Sequence, residues 1–221
     1  MTSHDDHHHA ADRPTGSHSP MVPAYWDERY ASADQLWSGD PNSILVEVAS
    51  GRAPGRVLDV GCGEGADAVW LATQGWDVTA LDISGVALER AAKHTKEAGL
   101  SVALVRSGLV DADLPGASFD LVSAQYPVLA RTPESVAEHT LLDLVAPGGT
   151  IVIVHHADFE TSDPEHHGVN PADYVGPWHI APLLDDGWEI EINERRARHL
   201  TAGAGAHHSE DVILVARRVV S

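Results

Sequence analysis

Short apolar segments alternate along the chain with longer segments that have the composition of helices. The apolar segments that predict strands lie at residues 57–60, 76–81, 101–106, 119–123 and 150–154. The intervening segments that predict helices lie at 66–72, 84–98 and 132–144. The last of these strands is apolar throughout, as is typical of a strand covered on both faces. The pattern therefore predicts a parallel sheet between layers of helices.

Turn and capping residues set the boundaries of these elements. Gly75 ends the first helix, and Gly99 stands where a left-handed residue would end the second. Thr132 and Pro133 suit the N-cap and first position of the third helix. Residues 147–149 (Pro-Gly-Gly) predict a turn from that helix into the fifth strand.

Two more segments follow near the C-terminus. Residues 188–192 alternate between apolar and polar positions, and residues 212–216 are apolar. This pattern predicts a terminal hairpin at an antiparallel edge of the sheet.

Three glycines follow the first strand at alternate positions, Gly61, Gly63 and Gly65. Because they lack a Cβ, the backbone can approach a ligand closely, and the next helix directs its free N–H groups to the same place. Asp82 ends the second strand nineteen residues after Gly63, where its carboxylate can accept hydrogen bonds from a ribose diol. The alternative is that Asp82 caps the helix that opens near Ser84.

The glycines alone do not identify the nucleotide, because Gly61, Gly63 and Ala66 also fit the pattern of nicotinamide-dependent oxidoreductases. Asp59 stands two residues before Gly61. Its negative charge would disfavour a pyrophosphate and favour a ligand with an ammonium and a sulfonium group. A regulator that binds such a ligand without catalysis is a third possibility.

Four motifs together resemble the class I S-adenosylmethionine-dependent methyltransferases over roughly residues 25–218: VLDVGCGEG from Val57, VTALD from Val78, FDLV from Phe119 and LVAPGGTIVIV from Leu144. The string WDERYASADQLWSGDPN, from Trp26, resembles the opening of the tellurite-resistance and thiopurine methyltransferase-like group. The resemblance implies an α/β, Rossmann-like three-layer sandwich with a seven-stranded, mostly parallel sheet. It also implies methyl transfer to a small nucleophile: a thiol, a metalloid oxyanion or another small metabolite.

The resemblance implies that S-adenosylmethionine contacts the ends of the first four strands. The residues concerned are Asp59, Gly61, Cys62, Gly63, Gly65, Asp82, Ile83, Gly108, Leu109 and Gln125. In many relatives an acid after the third strand binds the adenine amine, but this chain has Ser-Gly-Leu at 107–109. Asp111, Asp113 or a backbone carbonyl could take that role.

The fifth strand leads to His155 and His156, and the fourth leads to Tyr126. If the acceptor must lose a proton, one of the histidines is the expected general base and Tyr126 the expected positioning group. Side chains alternate along a strand, so only one histidine is expected to face the pocket. A thiolate or an oxyanion would need no base.

The remaining histidines do not form a recognised metal motif. Segment 157–177 is acidic and contains histidines, but it lacks ligand spacing such as H-E-x-x-H, and no metal site is expected. His207 and His208, in the glycine-containing loop 202–208, are expected to be solvated. The first twenty residues are rich in His and Asp and are expected to be a disordered tail.

Charge and composition narrow the partners. The chain has 221 residues and a formal net charge of −19, which disfavours binding to nucleic acid. One cysteine and no apolar stretch of membrane-spanning length favour a cytoplasmic protein without membrane contact, as a monomer or homodimer. Residues 21–221 are expected to form one domain. Within it, residues 21–54 are an N-terminal cap whose aromatic residues, from Tyr25 to Trp37, cover the pocket or pack on the sheet.

Overall fold

The computed structural model describes residues 22–158, 173–198 and 208–220. Its strands are β1 (Arg56–Val60), β2 (Asp77–Asp82), β3 (Ala103–Arg106), β4 (Phe119–Gln125), β5 (Val145–His156), β6 (Trp188–Ala197) and β7 (Glu210–Arg218). They form one sheet in the order β3-β2-β1-β4-β5-β7-β6. Strands β1 to β5 pair in parallel, and β7 lies antiparallel between β5 and β6. The predicted fold class is therefore confirmed.

Helices cover both faces of this sheet. They are α1 (Pro23–Ala31), α2 (Ser43–Ser50), α3 (Ala66–Thr73), α4 (Gly85–Glu97), α5 (Val136–Leu144) and α6 (Pro177–Ile180), the last followed by a short 3-10 helix, Ala181–Leu183. Ile151 and Ile153 of β5 pack in the core that includes α5 and α6. Val152 and Val154 pack in the opposite core, with α2 and α3. No helix in the described part of the chain is long and apolar enough to span a membrane.

Two predictions for the segments around the start of the fifth strand differ from the structure. The predicted helix start at Thr132 is wrong, because α5 begins at Val136 after Ser135, which has a φ of +51°. The Thr132 side chain instead accepts a hydrogen bond from the Val136 amide (3.2 Å), so residues 132–135 form a turn. The predicted turn at 147–149 lies inside β5, as an irregularity between two pairings with β4.

The topology brings chemically active residues to one edge. Parallel strands β1, β2, β4 and β5 all end at the same edge, so residues following them lie near each other. Strand β7 runs the opposite way and begins at that edge, where Asp211 pairs in register with His156. The antiparallel strand thus adds its first residues to the carboxyl ends of the parallel ones.

Candidate functional site

A cavity of about 1180 Å³ lies at the carboxyl edge of the sheet. One end, here the glycine-loop end, is lined by parts of segments 59–67, 81–83 and 107–111. The other, the histidine end, is lined by parts of segments 125–130, 155–158, 196–198 and 208–213. This volume exceeds the roughly 300–1,000 Å³ typical of small-ligand pockets. It has room for two ligands side by side.

The glycine loop exposes its backbone to the cavity. Gly61 and Gly63 have φ of +73° and +53°, which only glycine adopts easily. A Cβ on Gly63 would lie 2.8 Å from the Tyr30 hydroxyl. Gly65 differs from the other two: it lies outside the cavity lining, and a Cβ there would lie 2.8 Å from Cβ of Ala91 in α4. The structure therefore gives Gly65 a packing role between helices rather than a place at the cavity.

Asp82 connects the loop to the start of α4. Its Oδ2 accepts a hydrogen bond from the Gly63 amide and its Oδ1 one from the Ser84 amide, both at 2.8 Å. The N-cap of α4 is Ser84, whose Oγ accepts from the Ala87 amide, so the alternative cap role for Asp82 is wrong. Burial raises the pKa of Asp82. Its carboxylate thus stands at the cavity, oriented by two backbone donors.

Two more carboxyl groups lie beneath the loop. Asp59 is only 2% exposed, and its Oδ2 is buried without a hydrogen-bond partner. Burial and the charges of Asp67 and Asp82 raise its pKa well above the ordinary value. Asp67 accepts two hydrogen bonds of 2.7 Å from Asn42. Because an unpaired buried carboxylate is costly, this end of the cavity suits a ligand that brings a positive charge.

The outer wall of the glycine-loop end includes three predicted residues, Ile83, Gly108 and Leu109. Of the two acids considered for an adenine amine, Asp111 lines the cavity, and its Oδ2 is 3.5 Å from where a Gly108 Cβ would be. Asp113 is outside the lining. Geometry therefore favours Asp111 over Asp113 for this role.

The N-terminal aromatic residues cover the loop. Tyr25, Trp26, Tyr30 and Trp37 all line the cavity. The Trp26 and Tyr30 rings, four residues apart on α1, lie 6.1 Å apart, and the Trp37 indole donates to the Tyr30 hydroxyl (2.9 Å). Of the two alternatives for these aromatics, covering the pocket and packing on the sheet, this geometry favours the first.

Glu64, which sequence reasoning missed, connects the N-terminal aromatic segment to the glycine loop through hydrogen bonds. Its carboxylate accepts from the amides of Leu36 (3.1 Å) and Trp37 (3.0 Å) and from Arg90 (2.7 Å). The same arginine donates to the carbonyls of Tyr30 and Ala33, both at 2.6 Å. The position of Glu64 between two loop glycines could have indicated a buried role, because a carboxylate there must find donors.

Cys62 lies between the glycines with its side chain buried and part of the cavity lining. Burial, with the charges of Asp59 and Asp82, raises the pKa of its thiol well above the ordinary value. The group is therefore a neutral thiol rather than a thiolate.

At the histidine end, Tyr126 follows β4 with a φ of +53° and packs against His156, with ring centroids 4.3 Å apart. Its hydroxyl donates to Oδ2 of Asp211 (2.8 Å). Nδ1 of His156 lies 3.2 Å from Oδ1 of the same carboxylate. Arg198 completes the group: its Nε lies 3.5 Å from Asp211 Oδ2 and its guanidinium covers the Tyr126 ring. Gln125, the residue before Tyr126, also lines the cavity.

His155 and His156 differ in the partner of Nδ1. Nδ1 of His155 accepts from the His156 amide (2.9 Å), and its ring packs edge-on against Trp178. Burial lowers the pKa of His155 to about 3. Burial also lowers the pKa of His156, although Asp211 opposes this. Both residues line the cavity, so the expectation that only one faces it is wrong.

His208 is not the solvated loop residue that the sequence predicted. Its ring stacks on His156 at 3.7 Å, with 15° between the ring planes, and its Nδ1 lies 2.7 Å from Oδ2 of Asp158. The other predictions for the loops concern residues 159–172 and 199–207, which lie outside the described residues, as does the N-terminal tail. Within the described ranges, no three His, Cys, Asp or Glu side chains form a group that could hold a metal ion.

Sequence reasoning also missed Asp67, Asp158, Arg198 and Asp211. Asp158, Arg198 and Asp211 lie at the histidine end, and the last two come from segments far along the chain from His155 and His156. For Asp211 a pattern was available: it is the first polar residue before the apolar stretch of β7 that the hairpin prediction places in the sheet.

Comparison with known proteins identifies relatives of the whole fold. Residues 57–149 match a family model described as a methyltransferase domain. An uncharacterized methyltransferase of Mycobacterium tuberculosis is 34% identical over 155 residues, which are 70% of this chain and 72% of that protein. Among solved structures, an S-adenosylmethionine-dependent methyltransferase from Methanosarcina mazei has a TM-score of 0.62 at 18% identity, over 82% of this chain and 100% of that one. TehB from Haemophilus influenzae has a TM-score of 0.58 at 18% identity, over 89% of this chain and 66% of that one. These structural likenesses show the fold alone.

Proposed function

This chain belongs to the class I S-adenosylmethionine-dependent methyltransferases, and we propose that its methyl acceptor is a small molecule bound at the histidine end of the cavity. The observation that supports this is the continuity of the cavity, which runs from the glycine loop to His156 and exceeds the volume typical of one small ligand. An acidic chain with net charge −19 is a poor partner for nucleic acid.

The cofactor would bind at the glycine-loop end. When bound, S-adenosylmethionine supplies a methyl group already activated by its sulfonium sulfur. Asp82 would accept hydrogen bonds from the ribose, and Asp59 would lie beneath the cationic amino-acid part. The unpartnered Oδ2 of Asp59 and the open backbone at Gly61 fit such a group, whereas three buried carboxyl groups supply no positive charge to a pyrophosphate and would be destabilised when ionised beside one.

The chain's own contribution at the histidine end is to orient the acceptor and take its proton. Nδ1 of His155 is occupied by a backbone amide and that ring has a strongly lowered pKa, so His155 is a poor base. His156 has Nδ1 against a carboxylate and a second nitrogen available. We therefore assign the general base to His156. Tyr126, whose hydroxyl donates to Asp211, would act through its ring and its partner rather than by contacting the acceptor.

The tellurite-resistance and thiopurine methyltransferase-like group is a finer proposal. The string from Trp26 to Asn42 supports it. That segment lies over the loop, where Trp37 and Tyr30 cover Gly63. Membership would favour a thiol or a metalloid oxyanion as the acceptor; this is the alternative to the hydroxyl acceptor inferred below, and the methylated product decides between them.

Two measurements test the proposed function. Calorimetry should detect binding of S-adenosylmethionine and S-adenosylhomocysteine and no binding of NAD. Incubation with labelled S-adenosylmethionine and a fractionated small-molecule extract should give a methylated product that mass spectrometry identifies. Tight NAD binding would contradict the cofactor assignment, and cofactor binding without transfer to any fraction would favour a regulator.

A further inference from the structure

Asp211 is bound by side chains from three separate segments. It is 6% exposed, on β7, and its carboxylate lies next to Tyr126 after β4, His156 at the end of β5 and Arg198 after β6. These contacts connect residues 55 and 85 positions apart in the chain. A single carboxylate therefore sets the relative positions of the main polar groups at the histidine end.

We propose that Asp211 is the positioning residue that holds His156 with its Nε2 unprotonated, and that this end of the cavity accordingly takes an acceptor whose hydroxyl group must lose its proton. The proposal rests on the proposed function, because it deepens the assignment of His156 as the base. It adds the tautomer, the residue that sets it and the chemical class of the acceptor.

The tautomer follows from what a carboxylate can do. An ionised carboxylate only accepts hydrogen bonds, so Nδ1 of His156, 3.2 Å from Asp211 Oδ1, must carry the hydrogen. In the neutral ring the lone pair is then on Nε2. His155 has the opposite arrangement, since its Nδ1 accepts a backbone hydrogen bond and its Nε2 must be protonated. Adjacent histidines are thus held in opposite tautomers, and only His156 has a nitrogen lone pair without a backbone donor on it.

The surroundings of His156 restrict its rotation. Tyr126 stacks on it at 4.3 Å and His208 stacks on it at 3.7 Å, so the ring is held between two planar groups. His208 in turn lies beside Asp158. A ring held in this way can present Nε2 in one direction at little further entropic cost.

The charges at this end also favour a neutral acceptor. Arg198 lies against Asp211, so the guanidinium is already matched by a carboxylate, and Asp158 lies beside the His208 ring. When His156 takes a proton, Asp211 stabilises the imidazolium that forms. An anionic acceptor would therefore compete with Asp211 for the Arg198 guanidinium.

An acceptor that is methylated on a hydroxyl group needs a general base such as His156. A phenol, with a pKa near 10, is almost wholly neutral at pH 7, whereas an oxyanion is already ionised and a thiol is closer to ionising. In the proposed step the O–H bond breaks and its proton goes to His156 Nε2. An oxygen electron pair forms the new C–O bond to the methyl group. The C–S bond breaks with its electrons on sulfur, which becomes a neutral thioether. Pro127, Val128 and Leu129 line the facing part of the cavity and suit an apolar body on the acceptor.

The tautomer can be measured without knowing the acceptor. Nitrogen NMR of the imidazole rings in the full chain with S-adenosylhomocysteine should show His156 protonated at Nδ1 only. Asp211→Asn removes the charge but keeps the shape, and it should lower the pKa of His156 by about one unit. Asp158→Asn is the matched control, and it should leave the His156 tautomer unchanged. Wild-type His156 protonated at Nε2, or a pKa unaffected in Asp211→Asn, would overturn the positioning role.

A second variant keeps the test decisive if Asp211→Asn does not fold. Tyr126→Phe retains the ring but removes one hydrogen-bond donor from Asp211, leaving the carboxylate a stronger acceptor for His156. The pKa of His156 should then rise, opposite to the change in Asp211→Asn. An unchanged or lowered pKa would count against the proposal.

The acceptor class is tested by the product. Products formed from the small-molecule extract should carry a new O–CH3 group, and a product methylated on sulfur or on a metalloid would overturn the class. Failure of S-adenosylhomocysteine to bind would instead contradict the proposed function. The two failures are therefore distinguishable.

Discussion

The two ends of the cavity are built in different ways. At the glycine-loop end, Asp59, Gly63 and Asp82 come from one continuous strand-loop-helix-strand unit. At the histidine end, Tyr126, His156 and Asp211 lie at or next to the ends of three different strands, and the hydroxyl of Tyr126 donates a hydrogen bond to a carboxylate 85 residues away. A ligand site formed by contiguous residues can be recognised from a motif. A site that depends on a late antiparallel strand can be recognised only once the sheet order is known.

The ends also differ in how their charges are matched. At the glycine-loop end, Asp59 has a carboxylate oxygen with no hydrogen-bond partner, and burial raises the pKa values of Asp59 and Asp82. At the histidine end, Asp211 has three partners. The first end is thus suited to a ligand that supplies positive charge, and the second to one that does not.

The largest expected effect separates the two adjacent histidines. His156→Ala should lower turnover at least ~100-fold, the usual scale for removal of a general base, with little change in S-adenosylmethionine affinity. His155→Ala is the matched control and should retain turnover within a few fold. Steady-state kinetics with the acceptor from the product screen measures both. Equal losses in the two variants would contradict the assignment of the base.

The pH profile sharpens the same distinction. Because burial lowers the pKa of His156 below 6.5, turnover should rise with pH through a value below that of an ordinary histidine and then level off. The neutral ring is the active form, so activity is lost on the acid side. This rising limb should be absent in His156→Ala, and its persistence there would point to another base.

The next largest effect concerns the cofactor. Asp82→Ala removes a charged acceptor for two ribose hydroxyls, each hydrogen bond being worth about 1.5–3 kcal/mol, so S-adenosylhomocysteine should bind at least about 10- to 150-fold more weakly, the loss expected for one bond. The matched control is Asp113→Ala, which changes an exposed acid outside the cavity lining. It should bind S-adenosylhomocysteine with wild-type affinity. Calorimetry measures both affinities. Unchanged affinity in folded Asp82→Ala would move the ribose site elsewhere.

Asp59 should show opposite effects on stability and binding. Folding raises the pKa of Asp59, so the buried carboxyl group destabilises the folded protein less when it is protonated. The stability of the fold therefore falls as the pH rises from the pKa of Asp59 in the unfolded chain to its pKa in the folded protein. At neutral pH, Asp59→Asn should raise the Tm of the ligand-free protein by a few degrees, about 1 kcal/mol. It should also weaken S-adenosylmethionine binding about tenfold.

The pH dependence of S-adenosylmethionine binding to the wild-type protein tests this interpretation of Asp59. The cationic cofactor favours the ionised carboxyl group, so its affinity should decrease as pH falls and binding should release protons. Calorimetry in buffers of different ionisation enthalpy detects that release. Affinity independent of pH would show that Asp59 does not contact the cationic part.

The smallest expected effect is at the N-terminus. Deletion of residues 1–20, which contain few apolar residues, should change neither Tm nor cofactor affinity. Deletion through Trp37 should weaken cofactor binding, because it removes the aromatic residues over Gly63. A drop in Tm of several degrees for the shorter deletion would show that the tail is bound to the domain.

Local patterns predicted the sheet well and the histidine end poorly. The positions of β1, β2 and α4 follow from nearby glycines and caps, and the structure shifts their predicted ends by at most one residue. The start of α5 was wrong because Thr132 and Pro133 satisfy a helix N-terminus locally, while the chain uses them in a turn. The prediction of a solvated His208 was wrong because its contacts are with His156 and Asp158, which are fifty or more residues away in the chain. Neither partner can be identified from the local sequence around His208.

The neutral state of Cys62 has a consequence for the durability of the enzyme. A thiolate is the strongest nucleophile among ordinary side chains, and this sulfur lines the cavity in which a reactive methyl donor would reside. Because burial, together with the charges of Asp59 and Asp82, raises the pKa of the thiol, the donor meets a much weaker nucleophile there. The same carboxyl groups that would hold the donor thus also protect the protein from alkylating itself between turnovers.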